Sequence, residues 1–585
     1  MKKILTMACM ATALVACSDD AADNKTAAVV PTQTAAPQAD ILNYIPSNTP
    51  LLALSGLSSD QYPARYIETM ETYMSHMGDY MQTMIDQGLE AAMQKGEDDA
   101  NTVEQKVKPF VGKWFADGNM SKLGFKINQS QLAMYTVDLF PVMRIKLSTG
   151  HQMEALLSEA QTEFDIPFTA SEINGMKVRE LAADQATVMI GLNNDYLVVS
   201  LAPTPIKDQM VNALMGFDKP ATSLAQDNSI ITQVKSKYGF TLNDMFIVDM
   251  AAAADYFINP SKHDSALLNF LHIEDNMLSA DCKTEFTDLS HKMPRMIAGS
   301  TGITDTNINT QFILETDAEI GSDLSTLAGR VPASNKQSAF AFGMSFDLLA
   351  AKEIAGKYVQ RLVDQPYKCE QLVQINQNAA QMQAQLNQPI PPFVGNFKGF
   401  SFSLDDLKLN PAAVDSGQPD QVVESFKAQV LLAVDEAQGM LGMAQMMVPQ
   451  LAEVKLNTDG SLVHLADKLP VSGKDIPFDA EHFYGALTES TVGLSIGHPE
   501  GGGLSDLVKS EGANKLMTFS ASGDGYKRIM EQVFAMAEMP GMPEDIKKEL
   551  MFQKDMTMNM IYWKDAKGSM NFTDKGLVID STMTF

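Results

Sequence analysis

Three observations predict an α+β fold with mainly antiparallel sheets. Short alternating apolar segments are joined by tight turns, amphipathic stretches with three-four spacing lie between them, and one arrangement recurs along the chain. That arrangement is an apolar strand, a turn of small residues and an amphipathic helix. It starts at residues 51–54, 142–147, 245–250, 338–342 and 491–496, and it predicts two related halves. With 585 residues, 45% of them hydrophobic, the chain is longer than a single core sustains. The expected partition is a leader over 1–16, a tether over 17–40, α+β regions over 41–225 and 226–395, and a C-terminal α+β region over 396–585.

The leader follows from its composition. Lys2 and Lys3 make a basic start, and residues 4–15 are an apolar run too short to span a bilayer and of the length of a signal h-region. The run ends Leu14-Val15-Ala16-Cys17, an aliphatic residue, a spacer, a small residue and a cysteine. This resembles the lipobox of bacterial lipoproteins. The resemblance implies cleavage before Cys17, a diacylglycerol thioether on its thiol and acylation of the new amino terminus. Two or three acyl chains, at about 0.8 kcal/mol per buried methylene, would hold a body on a membrane with no spanning segment. Ser18 follows the cysteine, with Asp19 and Asp20 after it. By the sorting pattern of that family, this implies the outer membrane, periplasmic face.

Residues 18–40 are rich in Ala, Asp, Thr, Pro and Gln with almost no large apolar side chain, so they cannot bury enough surface to order themselves. Such a tether has a root-mean-square span of about 25 to 30 Å. The formal charge of −28 makes nucleic acid an unfavourable partner. Cys9 leaves with the leader and Cys17 is the acylation site, which leaves Cys282 and Cys369. In an oxidising compartment these two are expected to pair, and closing a loop of roughly 90 residues would contribute about 4 to 5 kcal/mol on the chain-entropy model. The absence of Cys-x-x-Cys argues against a thioredoxin-type enzyme.

The folded part opens with Ile41-Leu42-Asn43-Tyr44-Ile45-Pro46, then Pro50 and Leu51-Leu52-Ala53-Leu54. Taken with Cys282 and Cys369-Glu370-Gln371-Leu372, this opening is similar to a group of large uncharacterised Gram-negative envelope lipoproteins. The resemblance implies an envelope lipoprotein and brings no catalytic residue with it. Ile67, Met70, Met74, Met77, Met81 and Met84 then recur at spacings of three and four, the signature of one apolar helical face. A second helix is expected over 103–115, strands over 131–138 and 142–147, a helix over 151–164, and strands over 177–181, 186–192 and 195–201. Residues 371–386 read as a polar-faced helix before the Pro389 to Pro392 break. Asp459-Gly460 is expected to join strands 453–456 and 462–465, and turns at 565–568 and 574–576 to connect three final strands. The terminal Phe585 on an alternating strand is a feature of outer-membrane barrels, but the helices and the shortage of ten-residue alternating segments argue against one.

Few residues carry a chemical signal. Gly493-Leu494-Ser495-Ile496-Gly497 matches the nucleophile-elbow pattern, but the serine lies within an apolar strand and only His498 follows it. Gly343-Met344-Ser345-Phe346-Asp347 lies at a strand-to-helix turn and lacks the second glycine. The eight histidines have no His-x-x-x-His spacing, and Gly501-Gly502-Gly503 reads as a flexible loop. No catalytic set, cofactor or metal is expected. The 39 methionines stand out. Met440, Met443 and Met446, then Met536, Met539 and Met542, have the spacing of copper-binding thioethers, yet the same spacing suits core packing or an adaptable apolar groove. The sequence thus points to a non-enzymatic binding or assembly module for envelope proteins or apolar ligands, anchored to a bilayer through Cys17. An enzyme with a site assembled from distant residues and a copper protein are the alternatives.

Overall fold

A computed structural model describes residues 40–74, 100–115, 121–410, 423–447, 449–466, 480–535 and 561–585, with isolated positions between 543 and 558. The chain divides into two units between Glu315 and Thr316.

Strand β1 (Leu51–Ser55) organises the first unit. Its period-two alternation buries Leu52 and Leu54, and it pairs antiparallel with both β2 (Gln131–Val137) and β8 (Met245–Asp249). On one side β2 continues to β3 (Phe140–Lys146), then to β7 (Tyr196–Pro203), β6 (Ala186–Leu192), β5 (Met176–Ala183) and β4 (Thr169–Ile173). On the other side β8 continues to β9 (Arg295–Ile303) and β10 (Asn307–Glu315). The register places Val142, Tyr135, Leu52, Ile247, Ile297 and Ile313 in one lateral row across six strands, and each is at most 2% exposed. Full burial of each such side chain is worth about 1.5 to 3 kcal/mol, so this row carries much of the unit's core.

Among the described residues the helices of this unit longer than five residues are α1 (64–74), α2 (Ala100–Trp114), α3 (Met153–Glu163), α4 (Lys207–Met215), α5 (Ser229–Tyr238), α6 (Met250–Ile258) and α7 (Ala280–Lys292). Trp114 from α2 and Met153 from α3 close over Ile145, Leu192 and Leu197 on one face of the sheet. Helix α4 ends on Gly216 at φ +82, where a Cβ would come within 2.3 Å of the Arg144 guanidinium, so only glycine fits. Arg144 is itself fully buried. It donates to Tyr135 Oη at 3.2 Å and to the Met215 carbonyl at 2.8 Å, and its guanidinium lies 4.0 Å from the Tyr44 ring centroid.

The second unit repeats the strand order. Its strands are β11 (Phe340–Ser345), β12 (Phe397–Leu409), β13 (Val423–Val434), β14 (Val463–His464), β15 (Phe483–Leu487), β16 (Thr491–Ile496), β17 (Met517–Ser522), β18 (Asp565–Thr573) and β19 (Gly576–Thr584). All pair antiparallel, in the order β14-β15-β16-β13-β12-β11-β17-β18-β19. Reading the first unit as β5-β6-β7-β3-β2-β1-β8-β9-β10 gives the same connectivity strand for strand, with β4 the one addition. Several helices correspond as well: α9 (Leu348–Asp364) and α10 (Val373–Leu386) follow β11, α11 (Ala437–Met447) follows β13, α12 (Leu504–Lys509) follows β16 and α13 (Gly523–Ala535) follows β17, while α8 (Ala318–Ser325) opens the unit and neither α5 nor α7 has a counterpart among the described residues. The fold is therefore α+β, built from two halves of one topology.

Several details differ from expectation. The division at 315/316 falls inside the expected middle region 226–395, because β8 to β10 pair outward from β1 and complete the first sheet. Residues 453–456 do not form a strand; a 3-10 turn covers Pro449–Glu453, and 463–464 pair with β15 instead. Residues 565–568 are the start of β18, not a turn, since Asp565 to Thr573 pair continuously with β19. Of the five recurring segments, only those at 51 and 338 occupy equivalent places; 142–147, 245–250 and 491–496 are β3, β8 and β16, so sequence recurrence alone does not mark the repeat.

Candidate functional site

The clearest candidate lies between α6 and α7 in the first unit. Asp249 at the end of β8 caps α6 by accepting from the Ala252 amide at 2.8 Å, and Ser279 caps α7 by accepting from the Cys282 amide at 3.2 Å. Ala254, the last of four consecutive alanines after Met250, leaves the groove side of α6 thin there, while Phe286 and Leu289 of α7 and its C-cap Met293 face it at three-four spacing. The result is a groove of about 550 Å³, walled by Met250, Ala254 and Phe257 on α6 and by Phe286, Leu289 and Met293 on α7. Phe257 is 44% exposed and Met293 51%, and Met277 and Leu271 nearby are also exposed. Ser290 is the single polar side chain in the lining. A pocket of this size and lining suits apolar groups, and none of its lining residues is an acid or a base.

On another side of α6, His263 stacks on Tyr256 at 3.9 Å and sets Nε2 3.0 Å from Asp255 Oδ2. Burial pushes the Asp255 carboxyl up, but hydrogen bonds from Asn259 and His263 and the charge of Lys262 outweigh this and hold it below its usual value. These groups brace the C-terminal end of the helix.

A second cavity, of about 480 Å³, is lined by Thr232, Gln233 and Ser236 with Lys237, Tyr238 and Arg295. Its ionisable groups are occupied by Glu315, which is 2% exposed. Glu315 accepts from Lys237 Nζ at 2.7 Å, from Arg295 Nε at 2.5 Å and from Tyr238 Oη. Burial raises the carboxyl, and these three donors more than reverse that, so it stays ionised below the usual carboxylate range. An acid so completely bonded ties α5 to β9 and β10 and is a poor general base.

The elbow-like serine is also ruled out by its place. Ser495 is fully buried inside β16, opposite Gln429 on β13, which in turn lies opposite Ser403 on β12. Gln429 Nε2 donates to the carbonyls of Gly501 at 3.2 Å and Gly502 at 2.9 Å, while Gln429 Oε1, Ser403 Oγ and Ser495 Oγ have no hydrogen-bond partner. His498 Nε2 lies 3.2 Å from Asp405 Oδ2 without hydrogen-bond alignment. A serine with no accessible surface and no bonded base cannot attack an external substrate. Residues 501–503, expected to be flexible, form a tight left-handed turn at φ +72, +55 and +79, and the carbonyls of Gly501 and Gly502 hold it to Gln429 of this row. Ser345 of the shorter motif donates to the Lys515 carbonyl at 2.5 Å and Asp347 caps α9, so both have structural roles.

Ile67, Met70 and Met74 lie half-buried on α1; Met77, Met81 and Met84 lie outside the described residues, as does Cys17. Cys282 and Cys369 are both disulfide-bonded. Met440 packs beside Val434 and Leu487, whereas Met446 is 77% exposed, so the helix turns these two thioethers to different surroundings; Met536, Met539 and Met542 lie outside the described residues. Among the described residues no group of three or more His, Cys, Asp or Glu is placed to hold a metal ion, and no helix is long and apolar enough to cross a membrane. The recurring pattern implies a helix after 245–250 but not the groove, in which Ala254 lies among the lining residues with Phe286, Leu289 and Met293. Compared with known proteins, the chain matches no family model, no curated protein and no solved structure.

Proposed function

We propose that this chain is an envelope lipoprotein, acylated at Cys17 and facing the periplasm from the outer membrane, whose body is a non-enzymatic binding module for an apolar partner. The α6/α7 groove is the observation that carries the binding role: about 550 Å³ walled by apolar side chains, two of them roughly half exposed. The lipobox-like Leu14-Val15-Ala16-Cys17 supports the anchor. The ionised Glu315 cluster, fully engaged in its own contacts, leaves the groove as the better candidate for contact with other molecules.

Nile red, a neutral dye that brightens in apolar surroundings, tests the groove directly. Wild-type protein is expected to bind it with a dissociation constant in the micromolar range, and Phe257→Asp to weaken binding about tenfold or more, since a charge placed in an apolar site must be desolvated. Equal dye binding by the two proteins would end the groove as the binding site. For the anchor, the Cys17→Ser variant should leave the membrane fraction and lose labelled palmitate, whereas continued cofractionation would contradict acyl anchoring.

A further inference from the structure

We infer that the α6/α7 groove takes a cationic amphipathic helix of another protein, its apolar stripe in the groove and its Lys or Arg residues along the α7 lip. The inference rests on the binding role proposed above and adds the partner's chemistry.

The lip supplies the argument. On α7 the groove wall is Phe286, Leu289 and Met293, and the adjoining stripe, one position earlier at each turn, is Asp281, Glu285 and Asp288 with Lys292. The base is spent within the stripe, because Lys292 Nζ lies 3.5 Å from Asp288 Oδ1. The loop leading into α7 adds Glu274 and Asp275 beside the exposed Met277, and Lys283 is engaged by Asp275 at 3.1 Å. The groove is therefore apolar at its floor and negative along one edge, in a chain of formal charge −28. Anionic lipid head groups are repelled by such an edge, as are acidic peptides. A helix carrying apolar residues at three-four spacing and bases on the adjoining stripe matches both features at once.

The test uses the full chain and three probes: a labelled Leu/Lys amphipathic peptide, its Leu/Glu counterpart and Nile red. The Leu/Lys peptide should bind about tenfold more tightly than the Leu/Glu peptide at low salt, and the preference should shrink as salt screens the lip. An Asp281→Asn, Asp288→Asn double variant should lose most of that preference while binding Nile red as wild type does. Phe257→Asp should lose peptide and dye together; if it does not fold by circular dichroism, Met293→Glu serves in its place. Equal binding of the two peptides, or tighter binding of the Leu/Glu peptide or of phosphatidylglycerol vesicles, overturns the inference while Phe257-dependent dye binding leaves the groove standing. Failure of wild-type protein to bind Nile red overturns the groove itself.

Discussion

The two halves share one strand order and fill it differently. In the first half, the buried lateral row Val142, Tyr135, Leu52, Ile247, Ile297, Ile313 is made of large side chains. In the second, Ser495, Gln429, Ser403, Ala341 and Ser520 lie in one row across β16, β13, β12, β11 and β17. Leu431 is buried on the same face of β13, two residues from Gln429, while Phe342, Phe400, Phe402, Val430 and Leu494 fall on the opposite face and are half-buried. Both halves leave some buried polar atoms unpartnered, Arg179 Nε and Nη1 among them in the first, but the two rows differ. Arg144 finds Tyr135, a carbonyl and two aromatic rings, whereas Ser403, Gln429 and Ser495 each keep an unpartnered atom. One strand topology thus accommodates central rows of different bulk and polarity, provided that the covering helix or loop complements whichever face is turned inward.

The comparison breaks most visibly on volume. Ile297→Ala should destabilise the first half by about 2 to 5 kcal/mol, because the fully buried site is enclosed by neighbouring strands and collapses poorly. Ser403→Ala at the corresponding kind of site should stay within about 1 kcal/mol of wild type, since it removes a hydroxyl that has no partner. Urea unfolding followed separately in the two halves by hydrogen exchange would measure both, and equal effects would show that the rows do not differ in the way described.

Gly502→Ala tests the loop that covers the polar row. The residue sits at φ +55, and a Cβ there would lie 2.7 Å from the His498 ring. A loss of about 1 to 3 kcal/mol is expected in the second half alone. Thermal melting of the variant with no shift would show that the turn is not held in this conformation.

The smallest effect is that of pH on His498. Burial lowers its pKa, nearby Lys427 lowers it further, and Asp405 opposes both without prevailing. A base whose folded pKa lies below its unfolded value favours the neutral folded form, so stability present above the unfolded pKa, near 6.5, declines as pH falls through it. The second half should therefore lose stability between pH 7.5 and 5.5, and His498→Asn should flatten that slope. An unchanged slope would place the acid sensitivity elsewhere.

Much of the local structure was legible. Asp249 and Asp347 cap helices at positions that the strand-turn-helix pattern marks, and the alternation in residues 51–54 and 491–496 marks strands with one face buried. The groove was not legible as a site, because neither the alanine run of α6 nor the apolar stripe of α7 signals anything beyond a helix until the two are set side by side. The elbow-like Ser495 was legible as a motif and misleading as chemistry, since a strand-interior position buries its hydroxyl.

Sequence alone determined the α+β class, several of the strands and helices, and the acidic balance of the chain, because periodicity and charge act over a few residues and need no distant partner. Tertiary structure alone decided the rest: that β1 seats between β2 and β8, that two halves repeat one order, and that α6 and α7 leave an apolar cleft beside an acidic lip. Those outcomes depend on which faces bury against which, and strand pairing over long sequence separations is selected by the packing of the whole sheet, a property that no local window contains.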